Sequence, residues 1–242
     1  MKRFSPYITL VLIPSLGVFN SAAAEETTDS KWSSSAELGI LVTEGNTETK
    51  SINAKANLGY EIKRWKHGLN LEAHNSSDDN GTTAERYFGS AKSDFNIDER
   101  SYLFITAQYE DDRFSGYEYQ ASEFLGYGYH FLKRSDLTVS AEAAPGLRQW
   151  KETGDESDDE FVARAAGHLK WTISDTSSFT QDLLYDYGDE FSVVKSISAL
   201  SAQISGKLAM KISYTTKYTS DVPEGSAKRD SETAVTLVYT FL

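Results

Sequence analysis

The chain has 242 residues, with 24 Lys and Arg against 36 Asp and Glu, a formal net charge of −12, and 14 Tyr, 12 Phe, 4 Trp and no Cys. The negative charge opposes a phosphate backbone and excludes nucleic acid as a partner, and the lack of Cys removes disulfide frameworks, thiolate metal sites and cysteine nucleophiles together. Downstream of the N-terminus no apolar run reaches the length of a membrane-spanning helix, so only strands could carry this chain across a bilayer.

The chain opens on Met1-Lys2-Arg3, continues through an apolar stretch from Tyr7 to Phe19, and exits through Ala22-Ala23-Ala24. A basic head, an apolar core too short for an anchor and an Ala-x-Ala exit predict a cleavable signal peptide over residues 1–24. Its removal takes two bases and no acid, which leaves an acidic exported chain. Residues 25–32 are then a short N-terminal periplasmic segment, and 33–242 form one domain.

From Ser33 onward the pattern is alternation of period two. Ile52, Ala54, Ala56, Leu58, Tyr60 and Ile62 share one parity, while Ser51, Asn53, Lys55, Asn57 and Glu61 share the other. Successive side chains of a strand point to opposite faces, so such a run separates two unlike media. Leu69, Leu71 and Ala73 alternate in the same way with Asn70, Glu72 and His74. Phe161, Ala163, Ala165, Leu169 and Trp171 alternate with Arg164, His168 and Lys170, and Met210, Ile212 and Tyr214 with Lys211, Ser213 and Thr215. Twelve strands are predicted, at 33–43, 48–62, 66–77, 83–95, 100–110, 117–131, 136–151, 159–172, 177–187, 190–203, 207–219 and 230–242. The run at 190–203 alone lacks a clear parity, because Val193, Val194, Ile197 and Leu200 do not keep to one side.

The connections also alternate. Glu44-Gly45-Asn46-Thr47, Asp78-Asp79-Asn80-Gly81, Asp111 to Gly116, Glu152 to Asp158, Tyr187 to Glu190 and Ser220 to Arg229 are polar or acidic and often long. Lys63-Arg64-Trp65, Asn96 to Glu99, Leu132 to Ser135, Ile173 to Thr176 and Ser205-Gly206 are tight. Long loops on one rim and short turns on the other, joining an even number of strands, are the layout of an outer-membrane barrel. Alternation does not say which face is inside. The signal peptide, an apolar face rich in Ala and Gly, and aromatics at run ends such as Tyr60, Trp171, Tyr187, Tyr218 and Tyr239 favour lipid outside over a soluble core. The fold expected is all-β: an antiparallel transmembrane β-barrel of twelve strands, both termini periplasmic, acidic loops outside.

Glu37-Leu38-Gly39, Thr43-Glu44-Gly45-Asn46-Thr47-Glu48-Thr49, Tyr60-Glu61 and Arg64-Trp65 resemble the YdiY-like family, whose members carry the label of salt-induced outer-membrane proteins and a domain of unknown function. The likeness in layout extends over the whole mature chain. It implies an outer-membrane location and fold, with no established biochemical role. The C-terminal series Val235, Leu237, Tyr239 and Phe241 resembles the signal read by the barrel assembly machinery, although Leu242 follows the last aromatic.

Gly45-Asn46-Thr47 reads as a hairpin tip, since Gly and Asn tolerate positive φ. His74 and Ser76 form a His-x-Ser pair of the kind an outer-membrane lipid hydrolase uses, but they share the polar parity and would face the lumen instead of lipid. Asp78-Asp79 and the run Asp155 to Glu160 lack the ligand spacing of a calcium loop and read as solvated acidic loops. Lys55, Glu72, Lys92, Asp94, Glu142, Arg148, Arg164, Lys170, Asp182, Asp186, Lys211 and Lys217 all fall on the polar parity and are the candidate lumen-lining residues. They could form a salt-bridged filling or a charged eyelet. The function expected is envelope structure or passive permeation of small solutes and ions, with salt or osmotic stress implied by the family label. No catalytic residue, metal site or cofactor is expected. The expected partners are outer-membrane lipid and lipopolysaccharide, the Sec export pathway and the assembly machinery.

Overall fold

The computed structural model describes residues 30–43 and 49–241. The predicted signal peptide, residues 25–29, the tip Gly45-Asn46-Thr47 and Leu242 lie outside the described residues. Twelve strands run β1 (Ser30–Thr43), β2 (Thr49–Ile62), β3 (Trp65–Asp78), β4 (Gly81–Asn96), β5 (Ser101–Asp112), β6 (Tyr117–Lys133), β7 (Leu137–Glu152), β8 (Ser157–Ser174), β9 (Ser177–Gly188), β10 (Val193–Ser205), β11 (Leu208–Thr219) and β12 (Arg229–Thr240). They match the predicted runs to within a few residues. At the N-terminus β1 takes in Ser30, Lys31 and Trp32 from the predicted periplasmic segment, because these pair in register with Ile62, Glu61 and Tyr60 of β2.

Each strand is antiparallel to its chain neighbours, and β1 closes on β12 with Leu38 opposite Leu237 and Ser35 opposite Thr240. The Phe241 N–H donates to the Ser34 carbonyl at 2.9 Å just beyond the seam. Closure leaves no sheet edge, which is the condition for backbone amides to sit in hydrocarbon. Register shifts fall at 76–77, 117–119, 130–132, 172–174 and 203–205, all towards strand ends. Bulges there absorb irregular loop lengths while the central alternation stays in phase.

Both described chain ends lie on the rim that carries the tight turns, the termini rim. In the first of these turns Lys63 adopts φ 53°, the left-handed conformation a two-residue hairpin needs. In the next, Asp98 accepts the backbone N–H groups of Arg100 and Ser101 at 2.7 and 2.8 Å, which holds its carboxyl below the usual range. The longer connections lie on the opposite, loop rim.

The apolar parity faces outward: Ile40, Leu71, Ile105, Leu125, Phe161 and Leu237 are 50–83% exposed. A water-facing sheet with this surface would aggregate; in lipid it is the expected outer wall. Trp32 lies tilted against Tyr60 at 4.4 Å and Trp65 against Phe95 at 5.0 Å near the termini rim, and Tyr109 lies 6.0 Å from Tyr119 towards the loop rim. These are the two aromatic girdles of a transmembrane barrel.

The core lies inside the barrel, on one side of it. Tyr102, Phe104, Phe124, Ala144 and Val162 from β5–β8 form one buried cluster, and Tyr117, Trp150, Phe191 and Val193 another nearer the loop rim. The rings fit because the neighbouring strand β6 places glycine opposite each of them in register: a methyl group at Gly126 would lie 2.7 Å from Phe104 Cζ, and one at Gly128 would overlap the Tyr102 ring. Charge on the outer wall should be costly and charge in the loops should not. Ile105→Arg, in the middle of β5, is expected to lower unfolding free energy in lipid vesicles by about 2–4 kcal/mol. Phe114→Arg, in the β5–β6 turn, is expected to be near neutral. Equal effects in a denaturant titration would contradict the lipid-facing assignment.

Candidate functional site

All twelve sequence-predicted lumen residues lie on the inward parity, and eleven of them meet an acid or base of the opposite sign within the set or beside it. Lys55 pairs with Glu72 at 3.1 Å, and Lys211 with Glu37. Lys92 joins Glu142, stands 3.6 Å from Asp94 and lies 4.6 Å from the Phe104 ring centroid. Tyr102 donates its hydroxyl to Glu142 at 2.7 Å, so this carboxylate ties β4, β5 and β7 together. Asp182 meets His168 Nδ1 at 2.8 Å. Lys170 is exposed near the termini rim and makes no ion pair among the described residues.

Two arginines anchor the filled side. Arg164 Nε and Nη2 each donate to Asp186 at 2.7 Å, Nη2 also reaches Gln108 at 3.1 Å, and the guanidinium lies 3.7 Å from the Phe124 ring centroid. Arg148 Nε donates to Glu160 at 3.0 Å, and its guanidinium lies 3.7 Å from the Phe191 ring centroid while bonding the Phe191 carbonyl. Both pairs are almost fully buried, and flat aromatic faces plus bidentate acceptors are the surroundings a buried guanidinium needs. Glu160 therefore leaves the acidic run read as a solvated loop and turns into the lumen.

Other contacts cross the barrel. Lys217 on β11 reaches Glu110 on β5 at 2.6 Å, and Lys195 on β10 stands 5.3 Å from the Phe88 ring centroid on β4. In each case the two strands are six places apart in the twelve-stranded ring. Arg86 on β4 adds a contact to Glu232 on β12 at 3.4 Å. Between these struts and the strands of β2–β4, the lumen-facing Asn53, Lys55, Asn57, Asn70, Glu72 and Ser90 are only half-buried. The lumen is thus packed against β5–β8 and open along β2–β4.

At the loop rim the β11–β12 connection, residues 220–228, folds over the mouth and docks on the opposite wall. Ser226 Oγ donates to the Ser115 carbonyl at 2.9 Å. Gly116, at φ 85°, has Pro223 so close that a methyl group there would lie 2.9 Å from Pro223 Cβ. Beneath this strap is a cavity of about 380 Å³ lined by Arg86, Glu110, Lys195, Lys217, Val222 and Ser226, among others. A smaller one of about 110 Å³ shares Glu110, Lys195 and Lys217 and adds Arg148, Arg164 and Asp186.

Sequence reasoning missed Glu37, Arg86, Glu110, Glu160, Lys195 and Glu232 as lumen residues. Arg86, Glu110 and Glu232 sit on inward parity close to loops, where the pattern is diluted. Lys195 lies in the run with no clear parity: Val193 and Ile197 share its inward side, while outward Ser196 and Ser198 are satisfied by Gln181. His74 and Ser76 do point inward, and each is engaged by β2, His74 Nδ1 by Asn53 and Ser76 Oγ by Ser51 at 2.8 Å. Neither is bonded to the other. Val235, Leu237, Tyr239 and Phe241 all face outward on and just after the closing strand, 44–56% exposed.

A closed barrel with a lipid-compatible outer wall, two aromatic girdles and a charged lumen is an outer-membrane β-barrel. Its fold is similar to that of the NanC porin (TM-score 0.55, 8% identity, 87% of this chain and 100% of that one). It is likewise similar to the KdgM porin (TM-score 0.50, 11% identity, 86% and 99%). Residues 36–241 match the family described as protein of unknown function, DUF481, and the chain belongs to that family. A relative, the uncharacterized protein YdiY of Escherichia coli (strain K12), is 29% identical over 203 residues, spanning 84% of this chain and 80% of YdiY.

The two classes of lumen charge should behave differently on substitution. Arg164→Gln leaves Asp186 buried without its partner and is expected to cost about 3–5 kcal/mol of unfolding free energy. The double variant Arg164→Met with Asp186→Leu should recover much of that loss. Lys170→Gln, exposed and unpaired, should change stability by less than about 0.5 kcal/mol. Equal losses for Arg164→Gln and Lys170→Gln in denaturant titrations would contradict the structural role of the buried pair.

Proposed function

We propose that the protein is a narrow, passive outer-membrane passage for ions and small solutes, and that it is not an enzyme. The single observation that carries this reading is the one-sided filling of the lumen. Half-buried Asn, Ser and Lys side chains line β2–β4, and a separate cavity of about 380 Å³ opens at the loop rim, lined by His74, Arg86, Glu110 and Lys217 among others. A barrel built only to be stiff would gain by packing that side too. The struts that cross the wet side, Lys217 with Glu110 and Arg86 with Glu232, are partly solvated ion pairs. Each keeps some side-chain surface open to the lumen, so a passing ion can reach either partner. Their mixed signs favour weak selectivity, as expected where rings of one sign are absent.

Envelope structure is the second reading, and the buried Arg148–Glu160 and Arg164–Asp186 pairs favour it, since they stiffen half of the interior. The salt or osmotic link implied by the family label fits a small-solute path. In both readings the outer wall is embedded in lipid and lipopolysaccharide. Export follows the Sec route, and the outward Val235, Leu237, Tyr239 and Phe241 are offered to the assembly machinery.

Refolded, heat-modifiable protein in planar bilayers should give small, discrete conductance steps. Glu110→Ala with Lys217→Ala removes the cross-lumen strut and should enlarge each step, as should deletion of 221–227, the strap over the mouth. A correctly folded barrel that never conducts, with or without the strap, would overturn the passage and leave the structural role.

A further inference from the structure

Lys195 and Lys217 are register partners on β10 and β11, and both point into the lumen. Like charges directly opposite on neighbouring strands destabilise a sheet unless negative charge lies beside them. One carboxylate meets this pair: Glu110, from the opposite wall, is 2.6 Å from Lys217 Nζ. Two other acids nearby are engaged, Glu232 with Arg86 at 3.4 Å and Glu72 with Lys55 at 3.1 Å. Among the described residues no carboxylate lies within ion-pair distance of Lys195, whose Nζ instead stands 5.3 Å from the Phe88 ring centroid.

Lys195 lines both the cavity under the strap and the smaller chamber beneath it. Asp112 is the register partner of Arg86 and Asp230 that of Lys217, and Asp112 also accepts the Phe114 N–H at 3.1 Å. Among the Lys and Arg side chains lining the upper cavity, Lys195 alone has no carboxylate at ion-pair distance or opposite it in register. Arg148 and Arg164 line the chamber below. Gln120, Thr215, Thr219 and Ser226 line the upper cavity and offer neutral donors and acceptors. At about 380 Å³ the space is within the range of small-molecule pockets, roughly 300–1,000 Å³.

We propose that the floor of this cavity is a binding site for a small hydroxylated organic carboxylate, its charge held by Lys195 beside Lys217 and Arg86 and its hydroxyls by the Gln120, Thr215 and Ser226 wall. The carboxylate supplies the negative charge that Lys195 lacks. The inference deepens the passage reading by naming its solute class, and rests on that reading for transport, although binding itself needs no conduction.

The test uses the full folded barrel in detergent micelles, titrated calorimetrically with gluconate, with glucose and chloride as separate arms. Gluconate should bind and glucose should not. Lys195→Gln should weaken gluconate binding about tenfold, the loss of one charge-assisted hydrogen bond. Lys195→Arg should retain binding, and Lys170→Gln, at the other rim, should leave it unchanged. No heat from gluconate, equal binding by wild type and Lys195→Gln, or chloride binding as tightly as gluconate would each overturn the proposal. Conductance measured on the same preparation separates the two readings. A barrel that conducts without binding gluconate overturns this site and leaves the passage. One that binds through Lys195 without conducting supports the site and removes the passage.

Discussion

Hydrocarbon offers no hydrogen-bond partner to a peptide group, so every strand of this chain must have a neighbour on both sides. The β1–β12 seam meets that condition, with β1 also paired to β2 along its whole length. Once the sheet closes, the parity of each residue assigns it to lipid or to lumen, and nothing in between is available. The outward Ala, Leu, Ile and Tyr, the rim bulges and the aromatic girdles are consequences of that one constraint.

Inside, the constraint is different. A twelve-stranded ring is too wide for its own side chains to fill evenly, unlike an eight-stranded one. The protein answers asymmetrically. Phe104, Phe124 and Tyr102 press against glycines and alanines of β6 and β7, Trp150 meets Phe191 edge-on, and two guanidiniums lie over the rings of Phe124 and Phe191. Burying those charges is tolerable only because Asp186 and Glu160 meet them with good geometry. Across the remaining space the structure sets charged struts instead of a core. Hydrophobic burial on one side and solvated ion pairs on the other give a lumen that is rigid along β5–β8 and wet along β2–β4.

Much of this was legible in the sequence because period-two alternation reports a physical boundary directly. Ile52 to Ile62 against Asn53 to Glu61 is enough to define β2 and both of its faces. The failures have equally physical reasons. In β10 the lumen accepts Val193 and Ile197, which pack or fill space, while Ser196 and Ser198 survive on the lipid side by bonding Gln181. Parity there carries no chemical contrast, and Lys195 was hidden by it. Glu160 was hidden in an acidic run whose other members are solvated. Partners across the lumen are invisible to any local pattern: Lys217 and Glu110 are 107 residues apart, Arg86 and Glu232 146. Twelve of the lumen charges could be listed from sequence; which of them are packed and which are wet depends on the ring order of the strands.

The central claim is that division of the lumen, and the absence of native Cys makes it directly measurable. Single cysteines at Asn57 and Ser90, on the wet side, and at Ala144 and Ala166, on the packed side, can be exposed to a membrane-impermeant thiol reagent in reconstituted vesicles. Rapid labelling at Asn57→Cys and Ser90→Cys with protection at Ala144→Cys and Ala166→Cys is the result the structure predicts. Protection at all four positions, or equal labelling at all four, would contradict it.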